Sequence, residues 1–189
     1  MPTTNPYGLA VWSAYLSAVA TIAGAVTLIL FFSVGAPFGV INDAISVVGS
    51  LVIIPILFAL HQLHHSHAPA ASLGVLVVGI IVMLVAATLQ TLLVFDVITY
   101  GQTAVIVPSA YGVVGLSLIT YNYLAYVNGS FPRKLAVCGI VAGGGYVTAC
   151  LGFVLGGANH PLTYVGGLVS IIAYPTWAIW FGRVLLKSN

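Results

Sequence analysis

The histidines at positions 61, 64, 65 and 67 form the densest group of metal-capable side chains in this sequence. His61, His64 and His65 lie at positions i, i+3 and i+4, which a continuing helix places on one face. Imidazole nitrogens at this spacing bind zinc, copper or iron, including haem iron, and His67 could join them after a turn. The same residues also suit a helix end at the level of the lipid headgroups. We favour this cap, because no Cys, Asp or Glu accompanies the histidines on that side.

The string His61-x-x-His64-His65 also matches one histidine box of the membrane di-iron desaturases and hydroxylases. Those enzymes hold their irons with several such boxes, whereas this chain has five histidines in all. One of the five, His160, falls in a loop on the opposite side of the predicted membrane. The ligands are too few, and we do not expect an enzyme.

A second candidate site lies near the C-terminus, where Tyr174, Pro175, Trp177 and Trp180 precede Arg183. Pro175 removes a backbone hydrogen bond and is expected to bend the helix. Trp177 and Trp180 lie one turn apart on one face, and Arg183 can extend its guanidinium to the headgroups. We expect an anchor that contacts lipid, with a groove for an apolar ligand beside the bend as the alternative.

A third candidate consists of Asp43, Asp96 and His160, the polar residues expected at the opposite membrane face together with Asn42. They could converge there as a small polar site. Helix caps and solvated loops explain them equally well, and Asn42 or Asp43 is a good N-cap for the second span. We favour the caps.

Membrane helices must position all these candidates, because water cannot be the main solvent of this chain. Of its 189 residues, 61% are hydrophobic and 3% are charged, and the mean hydropathy is +1.17. Soluble domains are about 25% charged, and about 20 apolar residues cross a bilayer core of roughly 30 Å. We predict one all-α, polytopic transmembrane domain over residues 1–189, with six transmembrane helices. The spans lie at about 9–32, 44–63, 73–95, 105–126, 135–155 and 162–186.

The four basic residues predict the orientation of these spans. With six spans, Arg133 and Lys134 fall on the same side as Arg183 and Lys187, and the positive-inside rule makes that side cytoplasmic. Both termini and the histidine cluster share it. No charged residue is predicted near the bilayer midplane, which argues against a proton-driven pump but allows a carrier of neutral solutes.

The fifth span is rich in glycine. Gly139 with Gly143, and Gly152 with Gly156, are small-xxx-small pairs that permit the close approach of another helix. Residues 135–155 could therefore pack within this chain, against a second copy of it or against other membrane subunits. Lipids are the remaining expected partner, and nothing in the sequence points to nucleic acid.

The pattern Tyr-Pro-x-Trp-x-x-Trp-x-Gly-Arg at 174–183 resembles the closing motif of a family of six-helix bacterial integral membrane proteins, a domain of unknown function. The pair Asn42-Asp43 and the Asn-Gly-Ser-Phe-Pro-Arg-Lys turn at 128–134 are similar to the same family. The resemblance covers the chain from about residue 40 onward, although the family more often has arginines where this chain has its histidine cluster. It implies the six-helix fold and the bacterial inner (plasma) membrane, and it implies no activity.

Three functional hypotheses follow, in order of preference. The first is a non-catalytic membrane subunit or scaffold that binds a partner complex or lipid, supported by the low charge and the glycine faces. The second is a small transporter or channel for an apolar or neutral solute. It is supported by Pro55 and Pro175 inside spans and by a three-plus-three division into inverted halves. The third is a redox or sensor protein that holds a transition metal or haem at the histidine cluster.

Overall fold

The structure is a computed structural model that describes residues 6–187, a range in which it contains helices and turns but no strand. The elements are α1 (Gly8–Val34), α2 (Phe38–His64), α3 (Pro69–Val94), α4 (Tyr100–Thr103), α5 (Ile106–Asn128), α6 (Arg133–Gly156), a 3₁₀ turn (Gly157–Asn159) and α7 (Pro161–Lys187).

Six helical segments are long and apolar enough to cross a membrane, the fourth combining α4 with α5 and the fifth combining α6 with the 3₁₀ turn. This confirms the prediction of an all-α, six-helix membrane fold. The predicted cytoplasmic position of both termini stays a prediction, and residues 1–5 and 188–189 lie outside the described residues.

Glycine and proline set the helix ends. Gly35, Gly129 and Gly157 follow α1, α5 and α6 with φ of 88°, 73° and 74°, a backbone conformation that favours glycine. Pro69 and Pro161 are the first residues of α3 and α7, where the missing N–H costs no helical hydrogen bond.

Two predicted helix starts are wrong. α2 begins at Phe38, not at residue 44, because the chain has already turned at residues 35–37; Asn42 and Asp43 therefore lie inside the helix instead of capping it. α3 begins at Pro69 and not at residue 73, so Ser72 lies in its first turn. Asn42 and Ser72 instead make hydrogen bonds to neighbouring helices.

The six spanning helices form a ring, in which each packs against the next along the chain and α1 packs against α7 to close it; α2 also touches α5 across the interior. We call one end of the ring the histidine end, where α2 ends at His64 and α6 begins at Arg133. The other is the distal end, where α1 turns into α2 at residues 35–37.

The ring is packed more tightly towards the histidine end. The buried residues of α1 lie between Ala10 and Ala18, and those of α2 between Ser50 and His64. Towards the distal end, the residues of both helices are half-buried or exposed. The α1–α2 hairpin therefore leaves space between itself and the rest of the ring.

The buried glycines of α6 pack inside this chain. The Cα of Gly139 contacts the Asn122 amide, Gly143 meets the backbone of Gly115, and Gly152 meets Thr163, so closely that a methyl group would collide at each position. These glycines join α6 to α5 and α7 and offer no free face to a partner. The prediction of a partner bound through residues 135–155 stays a prediction, but its glycines no longer support it.

Candidate functional site

The side chains of the four clustered histidines lie in different environments. His64 is completely buried, with its ring against Tyr121 and Phe131 at centroid distances of 5.9 and 6.0 Å. Its Nδ1 lies 3.3 Å from Asn128 Nδ2 and 3.4 Å from Ser130 Oγ. Its Nε2 has no hydrogen-bond partner among residues 6–187.

The other histidines lie outside this buried pocket. His61 Nδ1 is 3.0 Å from Ser72 Oγ, His65 Nδ1 is 2.8 Å from the carbonyl of Gln62, and His67 is exposed. Within the described range, no group of three His, Cys, Asp or Glu side chains is arranged to hold a metal ion. Binding of a metal or haem therefore stays a prediction without support from this geometry.

The C-terminal motif is divided between the interior and the surface. Tyr174, Pro175 and Trp177 are buried, whereas Trp180 is half-buried and Arg183 is exposed. The prediction that Trp177 contacts lipid as an anchor is wrong, because its indole points into the bundle and is 0% exposed. Trp180 and Arg183 keep positions that suit an anchor.

The three residues of the third candidate site, Asp43, Asp96 and His160, lie in separate local environments. Asp43 is half-buried in α2, and Asp96 is exposed after α3 with φ of 55°. His160 precedes α7, where its Nδ1 accepts a hydrogen bond of 3.3 Å from the backbone N–H of Leu162. No hydrogen bond or ion pair joins any two of these three in the described structure.

The feature that none of these predictions identified is a cavity of about 240 Å³ inside the ring, which we call the central cavity. It lies between the α1–α2 hairpin on one side and α5, α6 and α7 on the other. Thr21, Tyr146 and Tyr174 line it, and each lies halfway along its own span. Its polar lining consists of six hydroxyls and one amide, from Ser17, Thr21, Ser46, Tyr111, Tyr146, Tyr174 and Asn42.

Asn42 fixes the distal part of the hairpin beside this cavity. Its Nδ2 donates hydrogen bonds to the carbonyl of Gly24 at 2.7 Å and to Thr27 Oγ1 at 3.1 Å. An amide that links two helices in an apolar solvent stabilises their pairing by about 0.6 kcal/mol on average. The residue expected to cap α2 thus holds α2 against α1.

Tyr111 joins the hairpin to α5 across the ring. The Tyr111 hydroxyl forms a hydrogen bond of 3.0 Å with Ser50 Oγ, in which either hydroxyl can donate, and Ser50 Oγ also lies 2.8 Å from the carbonyl of Ser46. It also lies 3.3 Å from the Ser46 carbonyl. The Tyr111 ring stacks on that of Tyr146 at a centroid distance of 6.0 Å, and both residues line the cavity.

Tyr174 supplies an unsatisfied polar group. The residue is 1% exposed, and its hydroxyl has no hydrogen-bond partner in the described part of the chain. Ser17 is close enough to interact with it, and because the Ser17 hydroxyl donates to the carbonyl of Ala14 at 2.9 Å its oxygen could only accept from Tyr174, but the two hydroxyls do not meet hydrogen-bond geometry. A buried polar group without a partner costs about 1–3 kcal/mol, so the hydroxyl needs a ligand or water in the cavity.

A column of stacked rings closes the space between the cavity and the histidine end. Tyr174 contacts Trp177, Trp177 stacks on Phe181, Phe181 contacts Phe131, and Phe131 contacts His64, with centroid distances of 5.9, 5.0, 5.8 and 6.0 Å. All five residues are at most 5% exposed. The cavity therefore ends at Tyr174 on this side, whereas towards the distal end it continues between helices that bury few residues.

The sequence contained a signal for this cavity. Ser17, Thr21 and Gly24 recur at i, i+4 and i+7, which places a small and polar stripe on one face of an otherwise apolar helix. In a membrane helix such a stripe turns to the interior of the protein or to a cavity. Tyr111 and Tyr146 carried no comparable pattern, because aromatic residues suit lipid and interior alike.

Comparison with known proteins adds no identification. No family model matches the chain, and neither does any curated protein or solved structure. The resemblance of residues 174–183 to a bacterial membrane family therefore stays a prediction.

Proposed function

We propose that this chain is a small carrier, which moves a neutral and partly apolar solute across a membrane through the central cavity. The observation on which this rests is the unpartnered Tyr174 hydroxyl, which faces a cavity halfway along the spanning helices. Carriers bind their solutes near the bilayer midplane, between the two halves of the fold. Here α1 and α2 belong to the first three-helix half, and α5 to α7 form the second.

The lining of the cavity indicates a neutral solute. It contains hydroxyls, one amide and apolar side chains, and no charged residue is among those that line it. A charged solute would lie in an apolar environment without an opposite charge, which costs several kcal/mol. A neutral solute with a polar group can bind the Tyr174 hydroxyl and place its apolar part against the remaining wall.

A carrier alternates between two conformations, each closed on one side of the membrane and open on the other. The unequal packing of the two ends of the ring fits one of these conformations. The ring column from Tyr174 to His64 closes the histidine end, while the distal parts of α1 and α2 are loosely packed. Transport requires the opposite arrangement in turn, in which the hairpin closes the distal end and the column separates. We assign the hairpin and the column as the two moving parts.

The proposed setting is the bacterial inner membrane, with both termini and the histidine end cytoplasmic. Arg133 and Lys134 share that end with Arg183 and Lys187, which agrees with the positive-inside rule. Lipid covers the large apolar side chains exposed around the ring, among them Trp12, Phe32 and Ile172. The buried glycines that supported the scaffold hypothesis pack inside this chain, and within residues 6–187 no group of three metal-capable side chains converges for the cofactor hypothesis.

The test is solute flux into liposomes that contain the purified protein, followed by stopped-flow light scattering with glycerol, urea and acetamide in separate runs. We compare the unmodified protein with Tyr174→Phe, which removes one hydroxyl and retains the ring. Tyr123→Phe is the matched control, because Tyr123 is 58% exposed on the outside of α5. We expect Tyr174→Phe to lower the flux about two- to tenfold, the value of one neutral hydrogen bond, and Tyr123→Phe to leave it unchanged.

Thermal unfolding in detergent separates this effect from instability. Because the Tyr174 hydroxyl has no hydrogen-bond partner among residues 6–187, Tyr174→Phe should unfold at the same temperature or higher. Flux no greater than through empty liposomes for every solute would exclude the carrier. A stably co-purifying protein in that case would favour the scaffold, and stoichiometric metal that is lost on changing His61, His64 and His65 to Ala would favour the cofactor hypothesis.

A further inference from the structure

A second cavity, of about 230 Å³, lies on the other side of the Tyr111–Tyr146 pair, and we call it the side cavity. Both cavities share Ser46, Tyr111 and Tyr146 as lining residues. The tyrosine pair is therefore a wall common to the two. Gln90 of α3 and Cys150 of α6 line the side cavity only.

Gln90 is the unusual residue of this cavity. It is 7% exposed and lines the side cavity, and its amide makes no hydrogen bond with any residue between 6 and 187. A primary amide has two N–H donors and a carbonyl acceptor, and those of Gln90 are not among the fully buried atoms without a partner, so they keep some exposed surface at this cavity-lining residue. The structure thus leaves a donor and an acceptor free, side by side, at a cavity wall.

We propose that the side cavity binds the primary amide group of a small neutral solute, which pairs with the Gln90 amide through two hydrogen bonds. This rests on the proposed function and names the solute class of the same carrier. A second amide offers an acceptor and a donor in one plane, which matches the free groups of Gln90. A hydroxyl group offers both functions from one atom, so it can bridge the two groups of Gln90 only with bent and weaker hydrogen bonds.

The wall opposite supports a planar group. Tyr111 and Tyr146, whose rings are stacked with an interplanar angle of 19°, both line the side cavity, so aromatic ring surface is available to a planar amide. No charged residue lines the side cavity, so a neutral partner is again required. Because the pair also borders the central cavity, a bound amide lies next to the space where Tyr174 is found.

Two natural cysteines provide a direct assay. Cys150 is a free thiol that lines the side cavity, whereas Cys138 is a free thiol outside both cavities, with its Sγ 3.6 Å from the carbonyl of Ala173. The purified full-length protein is treated in detergent with methyl methanethiosulfonate, a small neutral reagent, and modification of each cysteine is followed by mass spectrometry. Acetamide, glycerol and N,N-dimethylacetamide are added as probes.

We expect acetamide to slow the modification of Cys150 and to leave that of Cys138 unchanged. N,N-dimethylacetamide, which keeps the carbonyl acceptor but has no N–H, should protect about two- to tenfold less well, as expected for the loss of one neutral hydrogen bond, and glycerol, which has no amide, should also protect less well. Gln90→Met keeps the length of the side chain and removes its amide. It should lower the apparent affinity for acetamide by a similar factor.

Equal protection by the three probes, or no protection by acetamide, would overturn the assignment even if Gln90→Met failed to fold, because that comparison uses the unmodified protein. Undiminished protection in a folded Gln90→Met protein would also overturn it. Acetamide protection without flux into liposomes would keep the amide site and remove the carrier. Flux without acetamide protection would keep the carrier and remove the amide site.

Discussion

The indole Nε1 of Trp177 donates a hydrogen bond of 2.9 Å to Oδ1 of Asn122, and both side chains are completely buried. Asn122 Nδ2 donates in turn to the carbonyl of Leu118 at 2.8 Å. One amide thereby satisfies the indole of α7 and is itself bonded within α5. This bond lies in the packed half of the ring, next to the column that closes the central cavity.

Replacing Asn122 with leucine should destabilise the protein by about 1–3 kcal/mol, because the buried indole N–H of Trp177 loses its acceptor. The apparent unfolding temperature in detergent measures this loss. Combining Asn122→Leu with Trp177→Phe removes both polar partners, so the double variant should be more stable than the sum of the single changes predicts. Strict additivity would show that the hydrogen bond contributes nothing.

Gly139 is the residue that allows Asn122 to take this position. A methyl group on Gly139 would collide with the Asn122 amide, whereas a methyl group on Gly144, in the same helix, meets nothing within 4 Å. Gly139→Ala should therefore lower stability by about 1–3 kcal/mol through overpacking. Gly144→Ala should be neutral or raise stability by up to about 1 kcal/mol, since alanine favours the helix. Similar unfolding temperatures for the two variants would contradict the packing of α5 on α6.

The sequence was sufficient to predict the class and the number of helices, because length and apolarity alone define a membrane span. It was not sufficient to predict which side of each helix faces inward. Lipid and protein interior are both apolar, so an aromatic residue such as Trp177 fits either, and its assignment to the lipid surface was wrong. Polar residues are the better guide in a membrane, as the spacing of Ser17 and Thr21 illustrates.

The histidine cluster illustrates the same limit of sequence-based prediction for polar side chains. Helical spacing correctly brings His61 near His65, with ring centroids 5.9 Å apart, but it does not determine what the neighbouring helices offer. His64 turns inward because Tyr121 and Phe131 provide a ring-sized space for it. That space depends on contacts between residues about 60 positions apart, which spacing within one helix cannot predict.

His64 should behave as a packing residue. His64→Ala leaves a ring-sized cavity between Tyr121 and Phe131 and should destabilise the protein by about 3–5 kcal/mol. His64→Phe keeps a ring and removes both the unpartnered Nε2 and the long contacts of Nδ1 with Asn128 and Ser130, so it should retain most of the stability. The control is His65→Ala, an exposed position where little change is expected. If His64→Phe and His64→Ala were equally unstable, the imidazole nitrogens would be essential and a bound metal would have to be considered again.

Tyr111 should control how firmly the hairpin is held to the ring. Tyr111→Phe retains the stacked ring on Tyr146 and removes the hydrogen bonds to Ser50 and to the Ser46 carbonyl, at a cost of about 1 kcal/mol. The distal part of α2 should then open more often, so its backbone amides between residues 39 and 50 should exchange hydrogen about fivefold faster. Amides between residues 133 and 145 of α6 are the internal reference and should keep their rates.

Because the hairpin is one of the two parts that must move for transport, a faster-opening hairpin should also change the solute flux. Unchanged exchange between residues 39 and 50 would mean that Tyr111 does not hold the hairpin.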